Sequence, residues 1–403
     1  MATEPRGRER VVAGMLASMV LAAFAVYSAG SITHGFVSYY TASRLLVDRQ
    51  LGPAAYDDRW FGGAVQRLTH SNIREIFIPN PPPMSLMALP VVALDPQTAR
   101  AVWLIASLAA FLAGIGALVR ARTRRNAPPS IVTLMLMMLA PAVFTNLRIG
   151  QGYLLVFGLF AATTVLLLRR RDRWAGVCLG LLLALKTSGV ALVLVLLIKR
   201  RWTALTAGAV TALALCLAIT PFINVRMWAV YPSQVQAYVA RPASSVTAYQ
   251  TTLSLVRHLC VADAEWNPSP AASCAPVAFV IPWLIIAAAT AITLWVSRHC
   301  DDTRWLAAAA ALSVLSLPAV AEPHFVLMAI PLALLPLDAF ELAIIGALLI
   351  VPLEFTSERF TNGWWALLAY PRLYAVWLLW LASIRVPRSD APTTAARELR
   401  AGT

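Results

Sequence analysis

Charge is scarce in this sequence. Asp, Glu, Lys and Arg together make up 13% of its 403 residues, about half the usual share for a soluble chain. The shortage excludes a water-coated globule of this size, whose surface needs more polar side chains than these. Lysine is nearly missing: Lys186 and Lys199 are the two present, and arginine carries the rest of the positive charge. Cysteine is rare too, with five in all. Neither CxxC nor HExxH occurs, so no metal site is expected. No Walker-type glycine loop occurs either, which argues against ATP hydrolysis, and no cofactor is expected.

What the chain has in abundance is apolar residues. They fill 59% of positions, with a mean hydropathy of +0.70. They come in blocks such as Val11–Gly30, Tyr153–Leu168 and Val277–Val296, close to the roughly 20 residues that cross ~30 Å of hydrocarbon. The net charge of +14 resides in short runs between the blocks: Arg6–Arg10, Arg120–Arg125, Arg169–Arg173 and Lys199–Arg201. That is the pattern of short cytoplasmic loops in a polytopic membrane protein, and it argues against a nucleic-acid partner. The first block lacks a small-residue cleavage site before His34 and reads as a retained helix.

The expected fold is an all-α integral membrane protein, a helical bundle of about 10–12 transmembrane helices. Residues 1–10 form a cytoplasmic N-terminus, 11–385 the membrane domain, and 386–403 a disordered cytoplasmic tail. Two extracytoplasmic loops are expected, at about 33–82 and 223–275. Cys260 and Cys274 share the second, where a disulfide suits an oxidising compartment. The stretch Pro83–Leu94 is too short to span and is bracketed by prolines. From Trp174 to Ile198 the chain runs between two basic loops, so it must go out and return, turning near Lys186–Gly189. Two arms of ~18 Å are too short to cross, and such broken helices are tolerated where they line a cavity.

The candidate chemistry gathers near the outer face. Asp57, Asp58 and Glu75 of the first loop are the natural general bases, with His34 beside them. Alternatively, Asp57 and Asp58 cap an interfacial helix starting near Arg59. Lys186 lies in an apolar run, and a cation at membrane depth marks a functional site unless it snorkels to the surface. Glu322-Pro323-His324 lies between two apolar helices, either as a proton-transfer or phosphate-binding element or as a polar connector. Arg148, Arg226, Arg241 and Arg257 break the positive-inside bias, either to hold a phosphate or simply as solvated side chains.

With these residues in view, the chain resembles glycosyltransferase family 87, the polyprenol-phosphate-mannose-dependent mannosyltransferase-like proteins of the GT-C class. The resemblance runs over about residues 11–385. It rests on Phe36–Leu46 leading to Tyr56, on Pro79-Asn80-Pro81-Pro82 before a segment ending near Trp103, and on Gly150-Gln151. It continues through Trp174-Ala175-Gly176 leading to Leu185-Lys186, Tyr249-Gln250-Thr251-Thr252-Leu253-Ser254-Leu255 and Pro323-His324.

The resemblance implies a polyprenyl-phosphate sugar donor, with mannose or arabinofuranose as the sugar. Transfer would invert the anomeric carbon and deliver the sugar to a cell-envelope glycolipid or glycan at the extracytoplasmic face. Lys186, His324 and Arg148 would hold the leaving phosphate. Gln151, Tyr40, Asn80, Gln250 and Glu322 would complete substrate binding. One position departs: the aspartate the family commonly carries before the aromatic stretch is Gly35 here. Asp58, Asp57 or Glu75 would then serve as base, with Asp58→Asn the first substitution to test. Two rival readings are an accessory protein of the same fold and a lipid-linked substrate transporter or flippase.

Overall fold

The computed structural model describes residues 19–123, 130–240, 247–264, 267–351 and 363–385. Arg6–Arg10, Arg241, the end of the Arg120–Arg125 run and the tail from residue 386 lie outside them. Among the described residues the fold is helical, with no β-sheet.

Helix α1 (Met19–Ala29) leads into a loop that contains two further helices, α2 (Phe36–Val47) and α3 (Asp58–Thr69). Short 3-10 turns follow at Pro82–Leu86 and Leu89–Val91, so the proline-bracketed segment is neither a span nor a free loop. Its Met84, Ser85 and Ala88 are fully buried. Next come α4 (Pro96–Thr123), α5 (Ser130–Ile149) and α6 (Tyr153–Leu168).

The out-and-back segment is α7 (Asp172–Lys186) and α8 (Val190–Ile198). The turn between them uses Thr187 at φ 49° and Gly189 at φ 92°. At 1.5 Å per residue the arms are about 22 and 14 Å long; neither crosses alone. Helix α9 (Trp202–Ile219) runs parallel to α7 at close range. A Cβ on Gly176 would meet the Ala204 carbonyl at 2.2 Å, and one on Gly180 the Gly208 carbonyl at 2.5 Å, the small-residue approach by which membrane helices pack.

The described part of the second loop is helical as well. It contains α10 (Arg226–Ala240) and α11 (Thr252–Cys260), and Cys260 is disulfide-bonded to Cys274. Then follow α12 (Ala275–Ser297), α13 (Asp302–Leu315), a 3-10 stretch Glu322–Met328 continuing into α14 (Ala329–Leu334), α15 (Ala339–Ile350) and α16 (Pro371–Ile384).

Three described helices are long and apolar enough to cross a bilayer alone: Pro96–Ala121, Trp202–Phe222 and Ala275–Ser297. A fourth span results if Gly363–Ala369 and α16, bent by 61°, act together. Further crossings must be assembled from shorter apolar helices, including Tyr153–Leu168, Glu322–Leu334 and Ala339–Ile350. The long helices present apolar side chains outward: Val210, Leu213 and Leu217 on α9, and Phe279, Val280 and Leu284 on α12, are all more than half exposed. In water such a surface would be a liability; in lipid it is the expected exterior.

The two ends of the bundle differ. At one end the basic connectors are stitched together. Arg201 forms an ion pair with Asp172, its Nε donating at 2.6 Å. Arg170 pairs with Asp302 at 2.9 Å, and the Lys199 ammonium donates to the Cys300 carbonyl at 3.1 Å. Exposed Trp174, Trp202 and Trp295 ring this end, as interfacial aromatics do. The opposite end holds α2, α3, α10, α11 and the turn after α7.

Candidate active site

At that opposite end the chain closes around a cleft of about 520 Å³, into which six stretches distant in sequence converge. Residues 75–81 form one edge. The α5–α6 junction, the α7 turn and the Glu322 stretch form the floor, and α10 with residues 248–249 adds a wall.

Lys186 ends α7 inside this cleft. Its ammonium donates to Asn80 Oδ1 at 2.9 Å and lies over the rings of Tyr39 and Tyr153, at 5.0 and 5.1 Å from their centroids. Two aromatic faces and one amide oxygen solvate the cation and leave donor capacity for an anion. Asn80 is itself fixed, its Nδ2 donating to the Phe77 carbonyl at 2.6 Å and its carbonyl accepting from the Tyr56 hydroxyl at 3.2 Å. The Tyr39 hydroxyl donates to Gln151 Oε1 at 2.7 Å. Burial pushes the phenols of Tyr39, Tyr56 and Tyr231 up, the last to about 12, so all three remain neutral hydroxyls at physiological pH.

Glu75 lines the same cleft. Its Oε2 accepts from the Gly35 backbone N–H at 2.9 Å and its Oε1 from the Ile76 N–H at 3.0 Å. His34 Nδ1 stands 3.6 Å from Oε2, with most of its side chain exposed. Gly35 adopts φ +72°, and a Cβ there would lie 2.6 Å from the Ile149 carbonyl oxygen. Any side chain at position 35 is therefore excluded by backbone, and the carboxylate at this spot arrives from residue 75. Sequence order hides this, because the two positions are forty residues apart.

The other acids of the first loop sit elsewhere. Asp57 is the N-cap of α3, accepting from the Trp60 N–H at 2.8 Å, and Asp58 begins that helix. Neither lines the cleft. The capping alternative describes Asp57 well: a carboxylate at an N-cap satisfies an otherwise orphaned donor.

Among the residues expected to bind substrate, Gln151, Asn80, Lys186, Glu322 and His324 line the cleft. The His324 ring packs on Tyr153 with centroids 3.8 Å apart, and its Nδ1 lies 3.0 Å from the Ala321 carbonyl. Glu322 accepts from buried Arg372 at 2.6 Å and from Thr145 at 3.1 Å. Three residues do not line it. The Arg148 side chain is exposed while its carbonyl accepts from buried Arg100 at 2.7 Å. Tyr40 donates to the Leu94 carbonyl at 2.9 Å. Gln250 braces the wall from behind, donating to the Thr247 and Ala369 carbonyls at 2.8 and 2.7 Å.

The sequence reading missed Tyr39, Tyr153, Thr145, Arg372 and the α10 tyrosines. On α10 the signal was present as Trp228, Tyr231, Val235 and Tyr238, one helical face inside a segment taken as loop.

A second cavity of about 620 Å³ begins where the cleft ends, and Lys186 lines both. This one is a groove between α4, α6, α7 and α9, walled by leucines and by small residues such as Ala110, Gly114, Gly158 and Ala162. Lys186 is its one charged lining residue.

Fold and site together define a polytopic membrane protein with a polar cleft at one end and an apolar groove leading into it. The sequence profile of glycosyltransferase family 87 matches residues 77–319, more than half of the chain, and the protein belongs to that family. It is a membrane glycosyltransferase. The matched region contains Asn80 and Lys186, while Glu75, Glu322 and His324 fall just outside it. No curated protein and no solved structure matches the chain.

Proposed function

We propose that the protein transfers a sugar, mannose by family resemblance, from a polyprenyl-phosphate donor to a cell-envelope glycolipid or glycan at the extracytoplasmic face. The observation that carries this reading is the position of Lys186, the one charged group shared by a polar cleft and an apolar groove. A lipid phosphate needs both: a cation for its head and a lipid-like channel for its tail. The disulfide supports an outside cleft, since Cys260 and Cys274 belong to the loop that supplies its wall and disulfides persist in oxidising compartments.

In this reading Glu75 is the general base. Its carboxylate accepts the proton of an acceptor hydroxyl as the oxygen attacks the anomeric carbon. The bond from that carbon to the phosphate oxygen breaks with inversion, and the electron pair leaves with the polyprenyl phosphate. The Lys186 ammonium faces the charge that develops on the leaving oxygen and stabilises it. Carriage of the acid by Glu75 at the place of Gly35 favours a catalytic role over an accessory one. The concentration of polar groups at one end favours transfer over transport.

Membranes containing the protein should move radiolabel from polyprenyl-phosphate mannose into endogenous lipid acceptors. Vectorial movement of the donor without a new glycosidic bond would defeat the enzyme reading.

A further inference from the structure

We propose that Arg372 is a positioning residue: it holds the Glu322 carboxylate on the cleft floor, where that carboxylate accepts hydrogen bonds from hydroxyls of the transferred sugar. The inference rests on the transferase reading above and adds to it the residue pair that recognises the donor's ring.

Arg372 is the second residue of α16, at the 61° bend between that helix and Gly363–Ala369. Its side chain is 2% exposed, while that of Glu322, its partner at 2.6 Å, is 23% exposed and lines the cleft. As a tie between helices such a pair gains little, because apolar residues of similar volume commonly hold as well or better. What sets this pair apart is that its anion opens on the cleft and its cation lies behind. Glu322 Oε1 accepts from Arg372, and Oε2 accepts from the Thr145 hydroxyl at 3.1 Å. A carboxylate has about four acceptor positions, so about two remain for a ligand.

The mounting is fixed from both partners. The Gln250 side-chain oxygen accepts from the Arg372 backbone N–H at 3.2 Å, and its Nε2 donates to the Ala369 carbonyl at 2.7 Å. The Gln250 backbone N–H donates to the Val320 carbonyl at 2.8 Å, so one residue joins the start of α16 to the chain just before Glu322. Asn146 Nδ2 donates to the Pro323 carbonyl at 2.9 Å and fixes the other side.

Position selects the hydroxyls. His324, two residues on, packs on the Tyr153 ring with centroids 3.8 Å apart, and the Lys186 ammonium lies over that same ring. With the donor phosphodiester at Lys186, Glu322 meets what is attached to the phosphate. An ionised phosphodiester offers acceptors only, and a carboxylate repels it. The hydrogen-bond donors of a polyprenyl-phosphate sugar are its ring hydroxyls, and these are what Glu322 can accept from.

The test uses the full chain in lipid nanodiscs. It measures binding of polyprenyl-phosphate mannose and of its monodeoxy analogues, each lacking one ring hydroxyl, with transfer followed in parallel. Wild type should bind at least one analogue about tenfold more weakly, as expected for a lost hydrogen bond to a charged group. Glu322→Gln and Arg372→Gln should each reduce that preference several-fold while binding sugar-free polyprenyl phosphate as wild type does. Arg372→Lys, which keeps the charge and loses the planar fork, should fall between. In the Glu322→Gln background, Arg372→Gln should change the preference no further, because it acts through that carboxylate. Wild type that binds every analogue alike, an unchanged preference in Glu322→Gln, or Arg372→Gln that weakens every donor equally would overturn the proposal. A protein that keeps the preference but forms no glycosidic bond would defeat the transferase reading and leave the recognition pair standing.

Discussion

Lys186 shows how one residue can be informative before any contact is known. With only two lysines in the chain, one inside an apolar run demands a partner, and the structure supplies Asn80, Tyr39 and Tyr153. Lys186→Met should cut transfer by about 10²–10³-fold, the range for loss of one preorganised charge-stabilising group. The measurement is kcat/KM with polyprenyl-phosphate mannose, with expression and thermal stability near wild type, because the substitution removes a buried cation and leaves its stem. The base was harder to see. Asp57, Asp58 and Glu75 are equivalent as sequence; they separate only when folding makes Asp57 a helix cap and brings the Glu75 carboxylate to the Gly35 N–H. At Gly35 the prediction is steric. Gly35→Ala should destabilise the protein by about 1–3 kcal/mol, the cost of a strained left-handed residue, and lower its thermal midpoint. Gly35→Asp should fail to restore transfer to a Glu75→Gln protein, because the Ile149 carbonyl leaves no room for the new side chain.

At the scale of elements, the chain between basic loops revealed its own turn. Two loops that both favour one side force an even number of passes, and too few residues lie between them for two full spans. The pair α7 and α8 is the result, and its position is set at the basic end by Arg201, whose guanidinium is mostly buried against Asp172. Arg201→Ala would leave a partly buried carboxylate without its cation and should cost about 1–3 kcal/mol, read as a lower denaturation midpoint in detergent. Asp172→Asn should cost less, since the amide can still accept. Helices α10 and α11 were the less legible elements. Their sequences are mixed in polarity and flanked by prolines and serines, so they read as loop. Their order comes from tertiary contacts such as Arg257 donating to the Val239 carbonyl at 2.7 Å and the Cys260–Cys274 bond.

At the scale of the whole molecule, the two ends have different chemistry, and the sequence already said so through its arginine runs and its aromatic first loop. What it withheld was convergence: residues 35, 75, 80, 151, 186 and 324 are scattered along the chain, and only the packed bundle gathers them around one cleft. Sidedness can be checked directly. In intact spheroplasts a membrane-impermeant phosphine should reduce the Cys260–Cys274 bond and expose two cysteines to a bulky maleimide, with no labelling before reduction. Cys300, hydrogen-bonded through its carbonyl to Lys199 at the basic end, should stay unlabelled until the membrane is permeabilised. The reverse pattern would place the cleft in the cytoplasm.

Transfer turns on which acid takes the proton of the acceptor hydroxyl. The decisive measurement is single-turnover transfer from labelled polyprenyl-phosphate mannose by nanodisc-held wild type, Glu75→Gln and Asp58→Asn, with donor binding monitored in parallel. Glu75→Gln should lose about 10²–10⁴-fold in rate while still binding donor, and Asp58→Asn should remain within a few-fold of wild type. Full activity in Glu75→Gln alongside its loss in Asp58→Asn would contradict the site described above.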